Sequence, residues 1–447
     1  MPDYQQWITF GVFVCTVILL MWRPGRINES IPTSLGALIL ILVGVVGYKH
    51  ILEVLGIVSG AAVTILSTIV MSIILESIGF FRWVAFNLVE RAKGSGVKLF
   101  WLILLLCFLM TLFFNNDGSI LITTPIIIQI GNILKLKSKQ KIPYLLSGAL
   151  IATVSSAPIG VSNLANLIAL RIVGLDLNQY TVMMFVPSMM GILCISVLLY
   201  LYFQRDIPHK ISKNPIRYSL QPGSHPLLHN HEISNKVDWW LFRVCIGIVV
   251  FIRGGFFLAE DLGIPIELVA LTGVVLMIAV RWYRTRKGIR DVVTQTPWHI
   301  LLFAFSIYVI VNSLHRAGMT EWLITLLQPF AEKSEASLIA ASGLMLTLLS
   351  NLVNNLPSVM IGTFAVTDMG LEQQPLQLAY LANIMGSDIG ALLTPVGTLA
   401  TLLWMYILRS NHVPITWKQY MKVTIIVIPI GLIVSLMSLY VWTQVLL

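Results

Sequence analysis

The chain has 447 residues, of which 57% are hydrophobic and only 11% are charged, and its formal net charge is +9. A soluble domain carries about a quarter charged residues, so this composition excludes an ordinary soluble protein and indicates a membrane protein. The positive charge does not indicate nucleic-acid binding, because the basic clusters at 135–141 and 281–290 lie between apolar segments, where they are expected to orient the spans.

Ten long apolar segments predict an all-α polytopic membrane protein with about ten transmembrane helices. Most are close to the roughly 20 residues that cross the hydrocarbon core of a bilayer. The first is long enough to remain as a span, so no cleaved signal sequence is expected. In chain order the segments lie near 7–22, 32–48, 61–79, 142–173, 179–204, 239–258, 264–280, 297–314, 376–407 and 421–445.

Two further apolar stretches, at about 99–134 and 336–367, are each long enough for a helical hairpin. Each is interrupted by residues that favour turns and leave helix ends unpaired. The interruptions read Asn115-Asn116-Asp117-Gly118-Ser119 and Asn354-Asn355-Leu356-Pro357-Ser358. We predict two re-entrant hairpins whose tips stop partway across the membrane, where such backbone must line a cavity or be buried in protein.

The span that follows each hairpin is predicted to be broken in the middle. The span at about 142–173 contains Pro158-Ile159-Gly160, and the span at about 376–407 contains Pro395-Val396-Gly397. Proline removes a backbone hydrogen bond and permits a kink, so both spans can open in mid-membrane. The breaks are therefore candidates for a polar site inside the bilayer.

An internal duplication covers nearly the whole chain. Pro158 and Pro395 lie 237 positions apart, and the same offset places the spans of the first half on those of the second. The predicted units are a first repeat at 1–204, a cytoplasmic linker at 205–238 and a second repeat at 239–447.

The positive charges predict the orientation of the spans. With the linker inside, the inside loops hold 23 Lys or Arg residues and the outside segments hold three, which places both termini outside. Five crossings in each half then invert the second repeat relative to the first. Two inverted repeats with broken helices are the plan of secondary active transporters.

Two acidic residues, Asp117 at the first hairpin tip and Asp388 in the second broken span, are predicted to lie deep in the membrane. Charges at such positions are costly and usually functional. Either carboxylate could bind and release a proton or a cation, so both are candidates for proton coupling. The alternative is a structural carboxylate that caps exposed N–H groups at a helix break.

Neutral polar side chains accompany these acids at the tips and breaks. Some are expected only to satisfy local backbone groups, and the others to bind solute. The predicted substrate-binding residues are Asn115, Asn116, Asp117, Ser162, Asn163, Asn354, Asn355, Thr394 and Thr398. Amides, hydroxyls and two acids suit a small, hydroxylated or weakly charged solute, and no Arg or Lys is expected at the membrane midplane to bind a strong anion.

The sequence does not favour an enzyme. The histidines fall in loops or near span ends, no HExxH motif is present, and the four cysteines are scattered through apolar segments. We therefore predict no catalytic residues, no metal site and no cofactor. A channel is also disfavoured, because two opposed broken hairpins are typical of alternating access.

Over nearly its whole length the chain resembles the arsenite and antimonite efflux permeases of the ion-transporter superfamily. The motifs that carry the resemblance are short polar runs at the hairpin tips and breaks. They read Phe114-Asn115-Asn116-Asp117-Gly118, Val161-Ser162-Asn163-Leu164, Asn354-Asn355-Leu356-Pro357-Ser358-Val359, Asn383-Ile384-Met385-Gly386-Ser387-Asp388 and Thr394-Pro395-Val396-Gly397-Thr398.

This resemblance implies proton-driven export of trivalent arsenic or antimony, as the neutral trihydroxide, across a bacterial inner membrane. Some members of that family also work with a soluble ATPase subunit. This chain has no Gly-rich phosphate loop, so any use of ATP would need such a partner.

Two positions depart from the family's pattern. Members typically carry Asp where this chain has Thr153, and Lys where it has Leu392. Either a salt bridge was lost as a unit, or the chain carries another solute. The alternatives within the same superfamily are a sodium/proton antiporter and a sodium-coupled symporter for a small organic anion.

Overall fold

The computed structural model describes residues 3–22, 28–211, 238–286, 288–413 and 415–446, and this part of the chain is all-α. The α-helices are α1 (Asp3–Trp22), α2 (Ser30–Leu42), α3 (Tyr48–Ser77), α4 (Phe80–Arg91), α5 (Gly96–Phe113), α6 (Asn116–Ile133), α7 (Ser138–Val154), α8 (Leu164–Val173), α9 (Leu177–Phe203), α10 (Trp239–Asp261), α11 (Ile266–Thr285), α12 (Arg290–Gln295), α13 (His299–Arg316), α14 (Glu321–Lys333), α15 (Glu335–Val353), α16 (Asn355–Asp368), α17 (Gln373–Asp388), α18 (Leu399–Ser410) and α19 (Trp417–Leu446). The predicted all-α class is confirmed. Most of the predicted linker at 205–238 falls outside the described residues.

Ten helical segments within the described ranges are long and apolar enough to cross a membrane, as predicted, but they are not the ten expected segments. The ten include the first arm of each hairpin, α5 with 18 residues and α15 with 19 residues. Helix α2 has 13 residues and is too short on its own. Whether the hairpins are re-entrant therefore stays a prediction.

Helix α3 is longer than the span predicted at 61–79, because it begins at Tyr48. Its first turns carry Lys49, His50 and Glu53, whose polar side chains hid the start of the helix in the sequence. Thirty residues at 1.5 Å each give a helix of about 45 Å, so its first turns extend beyond a hydrocarbon core of about 30 Å.

Each predicted hairpin forms two packed helices that part at the polar turn. Helix α5 ends at Phe113 and α6 begins at Asn116, while α15 ends at Val353 and α16 begins at Asn355. The broken spans also form as expected. Between α7 and α8 the chain leaves the α-helix and makes a short 3-10 turn, Gly160–Ser162, and between α17 and α18 it makes another, Gly390–Leu393.

Helices of the two halves pack on each other in reciprocal pairs. Helix α9 packs on its counterpart α19, and α2 packs on α13 as α11 packs on α3. The second part of each broken span packs on a hairpin arm of the opposite half, α8 on α16 and α18 on α6. The breaks and hairpins therefore lie where the two halves meet.

The outer helices present apolar side chains outward, as lipid-facing helices do. Phe251 of α10 is 73% exposed and Met437 of α19 is 63% exposed, whereas nearly all of the central part of α3 is buried. Helices α9 and α19 approach closely at Gly191 and Gly431, where a Cβ would overlap the facing helix. Small residues at such crossings are typical of membrane helix packing.

Candidate functional site

Asp388 ends α17 and is buried, yet the hydrogen bonds that the described residues donate to its carboxylate all come from the first half of the chain. Asn163 Nδ2 donates to Oδ1 at 2.8 Å. Asn166 Nδ2 donates to Oδ2 at 2.8 Å, and Ser156 Oγ lies 3.0 Å from the same oxygen. One carboxylate therefore joins the two broken spans.

The break in the first half is what makes a carboxylate tolerable here. At the end of its own helix Asp388 meets the negative end of the helix dipole, which is unfavourable. It lies, however, against the first turn of α8, where Asn163 is the N-cap and accepts the N–H of Ala165 at 3.0 Å. The positive end of the α8 dipole thus compensates the buried charge.

Ser156 and two tyrosines shape the backbone around this carboxylate. The Ser156 hydroxyl also lies 2.8 Å from Thr153 O, so its single proton is shared between that carbonyl and Asp388. Tyr180 OH donates to Ala157 O at 2.7 Å. Tyr380, whose ring centroid is 6.5 Å from that of Tyr180, lies on the opposite half. Both rings are buried, so the break is held by packing as well as by hydrogen bonds.

The second hairpin tip is bound to the broken span of its own half. Asn355 N donates to Gly397 O at 2.9 Å, and Asn354 Nδ2 donates to Val396 O at 3.1 Å. Asn354 has φ 80° and ψ 155°, a region that is essentially reserved for glycine and costs about 1–3 kcal/mol. Strain of this kind persists only where surrounding contacts enforce it, and it is common at functional sites.

Thr394 and Thr398 make local contacts at the same break. The backbone N–H and the hydroxyl of Thr394 both donate to Asn351 Oδ1 at 2.8 Å. Thr398 is the N-cap of α18, and its hydroxyl accepts the N–H of Thr401 at 3.1 Å. These two predicted site residues thus satisfy backbone and helix-end groups in this conformation.

The first hairpin tip is built differently. Asn115 is the N-cap of α6, accepts the N–H of Gly118 at 2.6 Å and donates through Nδ2 to Thr68 Oγ1 at 3.0 Å. Asn116 is buried and Asp117 is partly buried in the first turn of α6. No hydrogen bond joins Asp117 to Asp388 in the part of the chain that the structure describes. The two predicted coupling acids belong to different elements, the first turn of α6 and the last turn of α17.

Several buried polar atoms near the breaks have no hydrogen-bond partner among the described residues. Their cost is that of an unpaired buried polar group, which native proteins usually avoid outside functional sites. They are Ser162 Oγ, Asn166 Oδ1, Asn354 Oδ1 and both side-chain atoms of Asn383. They are neutral donors and acceptors whose hydrogen-bonding capacity is unused in this conformation.

Sequence reasoning missed several residues of this site. Asn166 and Asn351 each stand three residues, about one helical turn, from a predicted site residue, Asn163 and Asn354. That spacing was a usable signal. Sequence reasoning also missed Arg253 of α10, which donates from Nε to Phe113 O, next to the first hairpin tip, at 2.6 Å. Its long stem reaches the tip from the opposite half, which linear sequence does not reveal.

Metal-binding clusters do not occur in the described ranges: no group of three or more His, Cys, Asp or Glu side chains could hold an ion. All four cysteines are free, with Cys107 and Cys245 buried in separate helices. The chemistry of the site therefore comes from carboxylate, amide and hydroxyl groups.

Comparison with known proteins gives matches over nearly the whole chain. The model of a family described as arsenical pump membrane protein matches residues 8–443. A protein of Bacillus subtilis (strain 168) named "Putative arsenical pump membrane protein" is 47% identical over 435 residues, which are 96% of this chain and 98% of that protein. An arsenical pump membrane protein of Escherichia coli is 31% identical over 431 residues, which are 96% of this chain and 97% of that protein.

Proposed function

Because the chain belongs to the ArsB family of arsenical pump membrane proteins, we propose that it exports trivalent arsenic and antimony in exchange for protons. As a member of this family it is a multi-pass membrane transporter of arsenicals and not an enzyme. The observation that carries the proposal is the carboxylate of Asp388, which is buried and bound by residues of the opposite half.

Protonation of Asp388 would change its contacts in a defined way. Asn163 can only donate to Asp388, because its own amide oxygen already accepts the N–H of Ala165. Asn166 is less constrained, because its amide oxygen has no partner. A proton is therefore best accommodated on Oδ2 of Asp388, where it can be donated to Asn166 after its amide rotates.

This change supplies a physical link between proton binding and movement of the two halves. Loss of the negative charge removes its attraction to the first turn of α8 and replaces charged hydrogen bonds with neutral ones, which are weaker. The contact between α17 and α8 is then easier to break. Proton binding on one side and release on the other would drive alternating access.

The solute that best suits the site is a neutral trihydroxide. Its three hydroxyls can both donate and accept, as required by the unpaired amide and hydroxyl atoms of Ser162, Asn354 and Asn383. Dispersed cysteines favour release of arsenic, because adjacent thiolates would trap it. Asn115, Asn116, Asp117, Asn163, Asn355, Thr394 and Thr398 complete the proposed solute-binding set, with Asp117 as a second proton site.

We further propose that 1–204 and 239–447 are inverted repeats with re-entrant hairpins, and that both termini lie outside the cell. The reciprocal packing of α2 on α13 and α11 on α3 supports the repeat, because it is the pattern that a two-fold relation between halves produces. The excess of Lys and Arg in the inside loops supports the orientation.

The departures at Thr153 and Leu392 are compatible with arsenical export. Thr153 bonds within its own helix, to Ala149 O at 3.1 Å, and Leu392 is fully buried. Neither leaves an unpaired charge, which supports the loss of a salt bridge as a unit. We therefore propose that both departures are tolerated. Because the chain has no Gly-rich phosphate loop of its own, we propose that it uses the proton gradient and does not require a soluble ATPase subunit.

The test is arsenite resistance and cellular arsenic content in an efflux-deficient bacterium that expresses this chain alone. We expect survival with lowered arsenic, and we expect antimonite to behave similarly. Asp117→Asn and Asp388→Asn should reach the membrane but lose protection. No protection by the wild-type chain, with the protein present in the membrane, would contradict arsenical export without a partner. Sodium and small organic anions would then be the solutes to test.

A further inference from the structure

Arg253 is a buried cation that reaches from one half of the molecule to the hairpin tip of the other. It lies in α10 with only 7% of its surface exposed. Its Nε donates to Phe113 O at 2.6 Å, and its Nη2 donates to Phe114 O. These two carbonyls end α5, immediately before Asn115 at the first hairpin tip.

The charge of Arg253 is compensated by a helix end and not by an acid. No ion pair among the described residues includes Arg253. The last carbonyls of a helix lack intrahelical partners and carry its negative dipole end, so a guanidinium is favourable there. Its third nitrogen, Nη1, is buried without a partner, so the contact is not optimised for stability alone.

The two hairpin tips are held by different means. The offset of the duplication places Thr16 opposite Arg253, so the second tip has no equivalent arginine. Instead Asn354 and Asn355 bond to the broken span of their own half. Among the described residues, a charged side chain fastens the first tip to the opposite half, and no such contact occurs at the second tip.

The contact lies beside an open-sided apolar cavity. An open-sided cavity of about 360 Å³ lies between α4, α5 and α10, and Phe113 and Phe114 form part of its wall with Val249 and Val250. These valines are about one turn from Arg253 on the same helix. Because the packing beside the contact is loose, the first hairpin tip and α10 can separate there when the guanidinium releases its carbonyls.

We propose that Arg253 is a positioning residue that holds the first hairpin tip against α10 and so sets the geometry of Asn115, Asn116 and Asp117. The proposal rests on the proposed function for its transport readout, because the tip then carries part of the solute site. Movement of the tip during transport requires that the guanidinium release its two carbonyls.

The test compares Arg253→Met and Arg253→Lys with Arg243→Met, a control that removes an exposed arginine from the same helix. Hydrogen exchange in lipid nanodiscs should accelerate by at least about tenfold at residues 110–118 in R253M, because this variant loses both charged hydrogen bonds to the tip. Residues 350–358, at the second tip, should exchange as in wild type. Lysine has one ammonium group where arginine has a forked guanidinium that donates to both carbonyls. The exchange rate at 110–118 in R253K should therefore lie between those of wild type and R253M.

Transport kinetics provide the second readout. The KM for arsenite should rise by about tenfold in R253M, with R253K between wild type and R253M and with R243M unchanged. Unchanged exchange at 110–118, or equal acceleration at both tips, would overturn the proposal. If R253M does not reach the membrane, Arg253→Gln takes its place with the same expectations. If wild type moves no arsenite, the proposed function fails, while the exchange comparison still decides the role of Arg253.

Discussion

Replacing Asp388 by asparagine removes the charge of this side chain while nearly keeping its shape. The new amide oxygen can still accept from Asn163, and the new NH2 group takes the place of Oδ2. In the wild type, Asn166 donates to Oδ2 of Asp388. In the variant, the Asn166 amide can rotate so that its oxygen accepts from the new NH2 group, because that oxygen has no other partner. Ser156 keeps an acceptor in Thr153 O at 2.8 Å.

The expected loss of stability is therefore small. A hydrogen bond to a charged group contributes about 1.5–3 kcal/mol, and one between neutral groups about 0.5–1.5 kcal/mol. Two strong bonds, from Asn163 and Asn166, become neutral, which weakens the contact by about 2 kcal/mol. Removing a buried charge offsets part of this. We expect D388N to insert normally, with its free energy of unfolding lowered by no more than about 2 kcal/mol.

Transport should respond quite differently. In everted membrane vesicles with an acidic interior, wild type should accumulate arsenite, and D388N should show no response to the pH gradient because the proton site that links the two halves is gone. Asp206→Asn, at an exposed position, is the matched control and should behave as wild type. A D388N variant that is present in equal amount and responds to the gradient as wild type does would refute the coupling role.

Three further changes test the fold and its charges. Gly386→Ala should lower the melting temperature, because a Cβ there overlaps the backbone of α15, whereas Gly254→Ala meets open space and should be neutral. Asn354→Gly should be more stable than Asn354→Ala by about 1–3 kcal/mol in thermal unfolding, since glycine alone relieves the strain at φ 80°. The hydrogen bond from Arg284 holds the pKa of Asp238 below its usual value of 3.8. Asp238→Asn should therefore cost under about 1 kcal/mol at neutral pH, a difference that disappears as pH falls below that value and the wild-type carboxylate is protonated.

The helices, tips and breaks could be predicted because each has a local cause. Apolar length predicted most of the spans, and turn-forming residues marked both hairpin tips within a few residues of where helices end. Prediction from the local sequence failed at the bounds of two helices, α2 and α3. Polar residues at the start of α3 concealed about 13 helical residues, and α2 ends at Leu42 because the chain turns at Gly44, where φ is 79°.

The site was predictable in its residue types but not in its contacts. Asp388 and Asn163 were expected from their place in broken spans, and the structure joins them at 2.8 Å. The bond between Asp388 and Asn166 spans 222 positions, and that between Arg253 and Phe113 spans 140. Such pairs depend on how the halves dock, which composition and spacing do not encode.

The most direct test of proton-coupled arsenical export uses the purified chain in liposomes, without ATP or any other protein. An acidic interior should drive arsenite into liposomes that contain wild type in the everted orientation, and an ionophore that collapses the pH gradient should abolish uptake. Arsenite uptake that is unaffected by the gradient, or absent while the protein is folded and inserted, would contradict the account.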